Sequence, residues 1–343
     1  MIRVLVVDDS AVYRRLITRM LTAEPGIEVV GYASDPYEAR ELIVELEPDV
    51  VTLDVEMPRM DGLSFLERLM KHRPTPVVLF STLGQANGEV ALRALALGAV
   101  EVVAKPRTDD SAEAGAQLRA AVVAAGGAQV APVLPPQPVA RSSVPTSGVV
   151  AIGASTGGTR AIEAVLSALP VPFPPIVIGI HMPEGFTAGF AKRLSSVAPF
   201  EVREASGQEV LLPGTALVAP AGRHMTIAAL GARFQARVFD GPPIRHHRPS
   251  IDVLFHSVAV EAGPAALGVL LTGMGQDGAE GLLEMRQRGA VTVAESRETC
   301  VVYGMPRVAA ELGAAGTIAP LHQIPQVMVG RLRRASLRPQ AAS

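Results

Sequence analysis

The feature that most constrains this chain is a rhythm, and the place where it stops. Short apolar runs alternate with amphipathic ones through residues 1–124 and again after residue 148. Between Gly126 and Gly148 stand Pro132, Pro135, Pro136, Pro138 and Pro145, with Arg141 as the only charge. Such a stretch cannot bury a core and reads as a semi-extended linker. The expected division is therefore a domain over 1–124, a Pro-rich linker over 125–147 and a second domain over 148–343. In the first block the apolar runs 4–7, 28–33, 50–53, 77–80 and 101–103 predict strands. Helical patterns near 11–23, 37–45, 63–71, 89–97 and 112–125 follow them. In the second block strands are expected at 149–152, 176–180, 215–219, 266–271 and 290–294. Strands alternating with helices predict parallel sheets, so the fold class is α/β with two doubly wound domains.

Composition narrows the partners. Hydrophobic residues make up 48% of the 343, enough for two cores, and the formal net charge is -2. That balance offers no general attraction to nucleic acid or to an anionic membrane. No basic recognition helix follows the linker, because the Arg245–Arg248 cluster sits among prolines, which argues against a DNA-binding regulator. The lone Cys300 lies in an apolar run and predicts a buried, inert thiol. The N-terminus passes from Met1-Ile2-Arg3-Val4 into Asp8-Asp9 without a secretory pattern, and no apolar segment is long enough to span a bilayer. The expectation is a cytoplasmic protein with no membrane insertion and no nucleic-acid partner.

In an open parallel sheet, ligands bind beyond the carboxyl ends of the strands. Asp8 and Asp9 follow the first strand, Asp54 the third, Ser81 the fourth and Lys105 the fifth. Clustered carboxylates call for a divalent cation, and an all-oxygen site suits Mg²⁺. A carboxylate acceptor, a metal, a cation and a hydroxyl together are what a transferred phosphoryl group needs. The alternative for either early acid is a helix cap, a role Ser10 fills equally well.

Residues 1–124 resemble two-component receiver domains, which are flavodoxin-like. The resemblance rests on Val6-Val7-Asp8-Asp9-Ser10, Leu53-Asp54-Val55-Glu56-Met57-Pro58, Met60-Asp61-Gly62, Ser81 and Lys105-Pro106. It implies Asp54 as phosphoacceptor and Mg²⁺ on Asp8, Asp9, Asp54 and the Glu56 carbonyl. It also implies phosphoryl contacts from Ser81 and Lys105, with a histidine kinase as phosphodonor. One position departs from the pattern: Val102 stands where receivers usually carry an aromatic switch residue.

In the second domain, Val149-Val150-Ala151-Ile152 runs into Gly153-Ala154-Ser155-Thr156-Gly157-Gly158 and then a helical pattern over 160–169. This is Gly-x-Ser-x-Gly between strand and helix, the setting of a nucleophile elbow. Ser155 is either the nucleophile or a helix cap, and the Thr156 N–H is a natural oxyanion donor. A dinucleotide-binding dehydrogenase turn shares these glycines but needs Tyr-x-x-x-Lys. After the linker only Tyr303 occurs, with Arg307 four residues on. A serine nucleophile needs a base and an orienting carboxylate. His181 directly follows a strand, and His224 is the next candidate. Of the aspartates after the linker, Asp240 lies in a Gly/Pro turn and Asp252 reads as a cap or surface residue. Asp277 lies between a fully apolar strand and a helix, where it is either a cap or the orienting group.

The second domain is similar to the Rossmann-like catalytic domain of the protein-glutamate methylesterases of chemotaxis, the CheB family. The matching segments are Ile152–Gly158, His181-Met182-Pro183, Arg248-Pro249-Ser250-Ile251-Asp252, Leu271–Gly278 and Tyr303-Gly304-Met305-Pro306. The resemblance spans residues 148–330 and implies the triad Ser155, His181 and Asp277, with backbone oxyanion donors at Thr156 and Met274. Gln276 stands where the family often has Asn. The implied activity is hydrolysis of glutamate methyl esters on methyl-accepting chemoreceptors, with deamidation of glutamines, and no cofactor for the esterase. The output is adaptation in chemotaxis, or the same chemistry in a non-motility chemosensory pathway. An inactive interaction module would be expected to lose some of the triad, and all three residues are present.

Overall fold

The computed structural model describes residues 1–57, 61–81, 85–106, 111–130, 139 and 144–336. The chain forms two compact units, Met1–Ala131 and Pro132–Ser343. Pro58 and Met60 of the receiver-like motif, and most of the Pro-rich stretch, lie outside the described residues.

The first unit runs β1 (Ile2–Val7), α1 (Ala11–Thr22), β2 (Ile27–Ala33), α2 (Pro36–Leu46), β3 (Val50–Leu53), α3 (Gly62–His72), β4 (Val77–Ser81), α4 (Gln85–Leu97), β5 (Glu101–Ala104) and α5 (Ser111–Gly126). All five strands are parallel, in the order β2-β1-β3-β4-β5. Strands β3 and β4 are buried at every position, as a sheet covered on both faces requires. Local sequence sets the helix starts. Ser10 caps α1 by accepting from the Tyr13 N–H, so Asp8 and Asp9 are released from that role. Asp35 caps α2, with Pro36 in its first turn, and Asp61 caps α3. Helix α5 continues through Gly126, past the expected boundary at residue 124.

The second unit begins with β6 (Val149–Ala154), α6 (Gly158–Ser167), β7 (Ile176–Ile180) and α7 (Thr187–Val197). Next come β8 (Glu201–Glu204), β9 (Gln208–Val210), β10 (Thr215–Val218), β11 (His224–Leu230) and β12 (Arg233–Phe239). It ends with α8 (Ile251–Ala262), β13 (Ala266–Leu270), α9 (Ala279–Gln287), β14 (Val291–Glu295), α10 (Met305–Glu311), β15 (Thr317–Ala319) and α11 (Ile324–Ser336). Seven parallel strands are ordered β15-β14-β13-β6-β7-β10-β8. The direction of winding therefore reverses between β6 and β13. Ligands of doubly wound sheets bind at such a crevice.

Beside this sheet lies an antiparallel one, β11-β12-β9, which the α/β rhythm did not lead us to expect. Helix α8 is buried on most sides. Its Ile251, Leu254, Phe255 and Val258 share one core with Val177 and Leu270 of the parallel sheet and with Met225 and Ile227 of β11. A helix apolar nearly all round is stable only when buried in this way. That burial fixes the N-terminus of α8 beside the winding reversal.

Candidate active site

In the first unit, β1 and β3 are neighbours, so the residues after them meet at the carboxyl edge. One carboxylate oxygen from each of Asp8, Asp9 and Asp54 lies within 4.8 Å of the others. Asp8 and Asp54 are buried and Asp9 is exposed. Lys105 Nζ reaches Asp54 at 2.6 Å and Asp8 at 2.7 Å, and lies 4.2 Å from the centre of the Tyr13 ring. Burial alone would lower the Lys105 pKa, but its bonds to both carboxylates raise it instead. Burial raises Asp8, and Lys105 offsets this only in part. Three acids against one lysine leave surplus negative charge on an all-oxygen donor set, which fits a divalent cation such as Mg²⁺. Ser81 ends β4 and is buried, and its carbonyl accepts from the Lys105 N–H at 2.9 Å. Glu56 is exposed, and its N–H reaches Asp54 at 3.4 Å. Val102 is buried within β5.

In the second unit, the end of β6 presents Ser155 at the winding reversal. The N-cap of α6 is Gly157, at φ +77°, so Ser155 does not cap that helix. A side chain at Gly157 would press within 2.5 Å of Val301. The serine hydroxyl faces His181 Nδ1 at 3.1 Å. His181 follows β7 directly, and its Nε2 meets Asp277 Oδ2 at 2.9 Å. The uncharged ring therefore carries its proton on Nε2, donates it to Asp277 and offers the Nδ1 lone pair to the serine O–H.

Asp277 does not cap its own helix, where Gly278 holds the N-cap position. It instead binds the start of α8 across the crevice. Oδ2 also accepts from the Ile251 N–H at 2.7 Å, and Oδ1 accepts from Ser250 Oγ at 3.0 Å and the Asp252 N–H at 3.1 Å. Burial would raise its pKa, but His181 and these N–H groups drive it well below the usual carboxylate range. The loop after β13 closes the site. Thr272 O accepts from the Ser155 N–H at 3.0 Å, and Thr272 Oγ1 donates to Thr156 O at 3.0 Å. Thr156 is buried and Met274 is exposed, each next to a residue of this loop-and-elbow junction.

The remaining candidates resolve by their partners. His224 opens β11 and is buried. It donates from Nε2 to Pro242 O at 2.9 Å and accepts the Ser250 N–H at Nδ1 at 3.2 Å, so both nitrogens are committed. His224 thus supports Ser250 and has no ring nitrogen left over for a serine. Asp240 is a surface partner of Arg223. Asp252, expected as a cap or surface residue, is half-buried, and Ser250 takes the cap. Asp252 Oδ1 accepts from the Gly281 N–H at 2.8 Å, tying α8 to α9. Burial pushes its pKa up to about 6. Cys300 is buried, and burial raises its thiol pKa strongly, as an inert thiol requires. Sequence reading missed Glu295 at the end of β14, which is 0% exposed and accepts from the Thr272 N–H at 2.9 Å. It missed His247 too, whose ring stacks on that of His181. A carboxylate closing a buried, mostly apolar strand was the available signal for Glu295.

Comparison with known proteins finds relatives of both units. A family model described as CheB methylesterase matches residues 150–328, and one described as response regulator receiver domain matches residues 4–115. A protein-glutamate methylesterase/protein-glutamine glutaminase of Anaeromyxobacter dehalogenans is 54% identical over 335 residues, covering 95% of this chain and 94% of that protein. A protein of the same description from Salmonella typhi is 47% identical over 338 residues, covering 96% and 97%. The crystal structure of the Thermotoga maritima CheB methylesterase catalytic domain, 35% identical, superposes with a TM-score of 0.53. It covers 54% of this chain and 98% of that one.

Proposed function

The chain belongs to the family of receiver-bearing protein-glutamate methylesterases, and on that premise we propose that Ser155, His181 and Asp277 are the residues that hydrolyse the ester. The observation that carries this is the continuous line of contacts from Ser155 Oγ through both nitrogens of His181 to Asp277.

Ser155 Oγ attacks the γ-carbonyl of a methylated glutamate while His181 Nδ1 takes its proton. Asp277 holds the Nε2–H tautomer and stabilises the imidazolium that forms. The oxyanion is received by backbone N–H groups, for which Thr156 and Met274 are the candidates. The imidazolium then protonates the departing methoxide oxygen, and methanol leaves. Water, deprotonated by His181, attacks the acyl-enzyme and frees the glutamate carboxylate and Ser155. Glutamine enters the same cycle with ammonia as leaving group.

In the first unit, Asp54 is the phosphoacceptor, with Ser81 and Lys105 placed to bind the phosphoryl oxygens. Asp8, Asp9, Asp54 and the Glu56 carbonyl would hold Mg²⁺, which when bound neutralises charge developing on the transferred phosphoryl group. The phosphodonor is a histidine kinase and the substrates are methyl-accepting chemoreceptors. Among the described residues no helix is long and apolar enough to cross a membrane. We place the enzyme in the cytoplasm, where both partners present their reactive groups.

Methanol release from methylated receptor membranes, with and without a small-molecule phosphodonor, tests the reading. Wild type should accelerate on addition of the donor, while Asp54→Ala should keep its basal rate and not respond. A full response in Asp54→Ala would overturn the assignment of the phosphoacceptor.

A further inference from the structure

His247 takes no part in the chemistry above, yet its ring lies flat against the catalytic histidine. The His181 and His247 ring centres are 3.8 Å apart and their planes differ by 4°. The backbone is bent to achieve this. Ile244 and His247 exchange two hydrogen bonds, of 3.0 and 2.9 Å, around Arg245 and His246. Both intervening residues sit in the left-handed region, at φ 50° and 69°. Residues with a Cβ avoid that region, and such strain persists where the surroundings enforce it and concentrates at functional sites. The turn is also clasped on both sides. Arg245 donates to Glu280 Oε1 at 2.7 Å, and Arg248 donates to Gly241 O at 3.0 Å.

His181 has a need that this arrangement meets. Its two hydrogen bonds both lie along the line from Nδ1 to Nε2. They fix rotation within the ring plane but resist tilting about that line only weakly. A flat group stacked on one face blocks the tilt. The stacked group must also stay uncharged, because His181 becomes an imidazolium during attack on the ester. Burial, with the charge of protonated His181, pushes His247 down to about 4. Of the other charged groups facing it, Asp277 acts in the opposite sense, and exposed His246 adds to the lowering.

We propose that His247 is a positioning residue of the esterase: its neutral ring keeps the His181 imidazole aligned between Ser155 and Asp277 and gives the nascent imidazolium a π face to rest on. The attraction is that of a cation over an aromatic ring. This inference rests on the triad reading.

The test measures kcat and KM for methanol release by full-length, phosphodonor-activated protein. His247→Ala should lower kcat about 10- to 100-fold, the scale of a small misplacement of a catalytic group, and leave KM within about twofold. His247→Phe restores a flat, uncharged ring and should recover most of the lost kcat, with circular dichroism and the thermal midpoint reporting an intact fold. Equal kcat in His247→Ala and wild type would overturn the proposal. So would a His247→Phe protein that is folded but as slow as His247→Ala, or a change confined to KM. Ser155→Ala, assayed alongside, separates the two readings. A silent Ser155→Ala with a fully active His247→Ala sinks only the role of His247, whereas an active, folded Ser155→Ala sinks the triad itself.

Discussion

Asp277 does two jobs with one carboxylate, and its four bonding partners explain both. It orients His181 and completes the first turn of α8. Asp277→Asn should lower kcat by about 10⁴-fold, as loss of the correct histidine tautomer does in serine triads. It should also lower the thermal midpoint, because one amide oxygen cannot serve donors that now use two. Kinetics and a melt of the same preparation check this, and a folded variant slowed only a few-fold would contradict it. Glu295 makes a separate prediction. Its folded pKa, about 7, stands above the ordinary 4.5. The folded state therefore binds the extra proton. The stability this contributes is fully present below about pH 4.5 and is lost as pH rises to about 7. Glu295→Gln keeps an acceptor for the Thr272 N–H and carries no charge. Relative to wild type, it should gain on the order of 3 kcal/mol between pH 4.5 and pH 8. Denaturant midpoints across that range measure it, and parallel curves for the two proteins would rule it out. Ser155, His181 and Asp277 were legible in the sequence because each follows an apolar strand. The choice between His181 and His224 was not legible from topology alone. It turns on which ring nitrogens are already committed, a fact created by packing against Pro242 and Ser250.

The elements that matter most are the elbow after β6 and the loop after β13, because they touch. A Cβ built on Gly273 would lie 2.7 Å from Ser155 Cβ and 3.1 Å from its amide nitrogen, and would also press on the Met305 sulfur. Gly273→Ala should therefore displace Ser155. We expect methanol release to fall about 100-fold for a stability loss of about 1–3 kcal/mol, the usual cost of overpacking. An active Gly273→Ala would mean that the two loops tolerate separation. Most parallel strands were legible because buried strands read as continuous apolar runs, but β8 and β15 were missed, being short, partly exposed and interrupted by polar residues. The β11–β12 hairpin was not picked out, although its runs alternate across a turn at Gly231. Its inner face borrows the core of α8, so its apolar positions are few, and small Ala236 is one of them. Asp252 was misplaced for a related reason. Burial of its first-turn position depends on α9 crossing above it, which local sequence does not announce.

Across the whole molecule, a receiver unit precedes an esterase unit on a Pro-rich connection, with control in the first and chemistry in the second. Phosphorylation places close to two negative charges at Asp54. A tenfold shift in the active population requires only about 1.4 kcal/mol of preference between two states. If the unphosphorylated receiver restrains the esterase, removing residues 1–147 should raise the basal rate of methanol release. A truncated enzyme no faster than the unphosphorylated full chain would mean that the receiver activates or delivers the enzyme instead. The order of the two functions was legible from sequence, since each announces itself by acids or a serine at strand ends. The central claim remains that Ser155 is the nucleophile, and one measurement addresses it most directly: methanol release from methylated receptor membranes by phosphodonor-activated wild type and Ser155→Ala at equal concentration. Wild type should release methanol, and a variant whose circular dichroism is unchanged should release almost none. Substantial release by folded Ser155→Ala would contradict it.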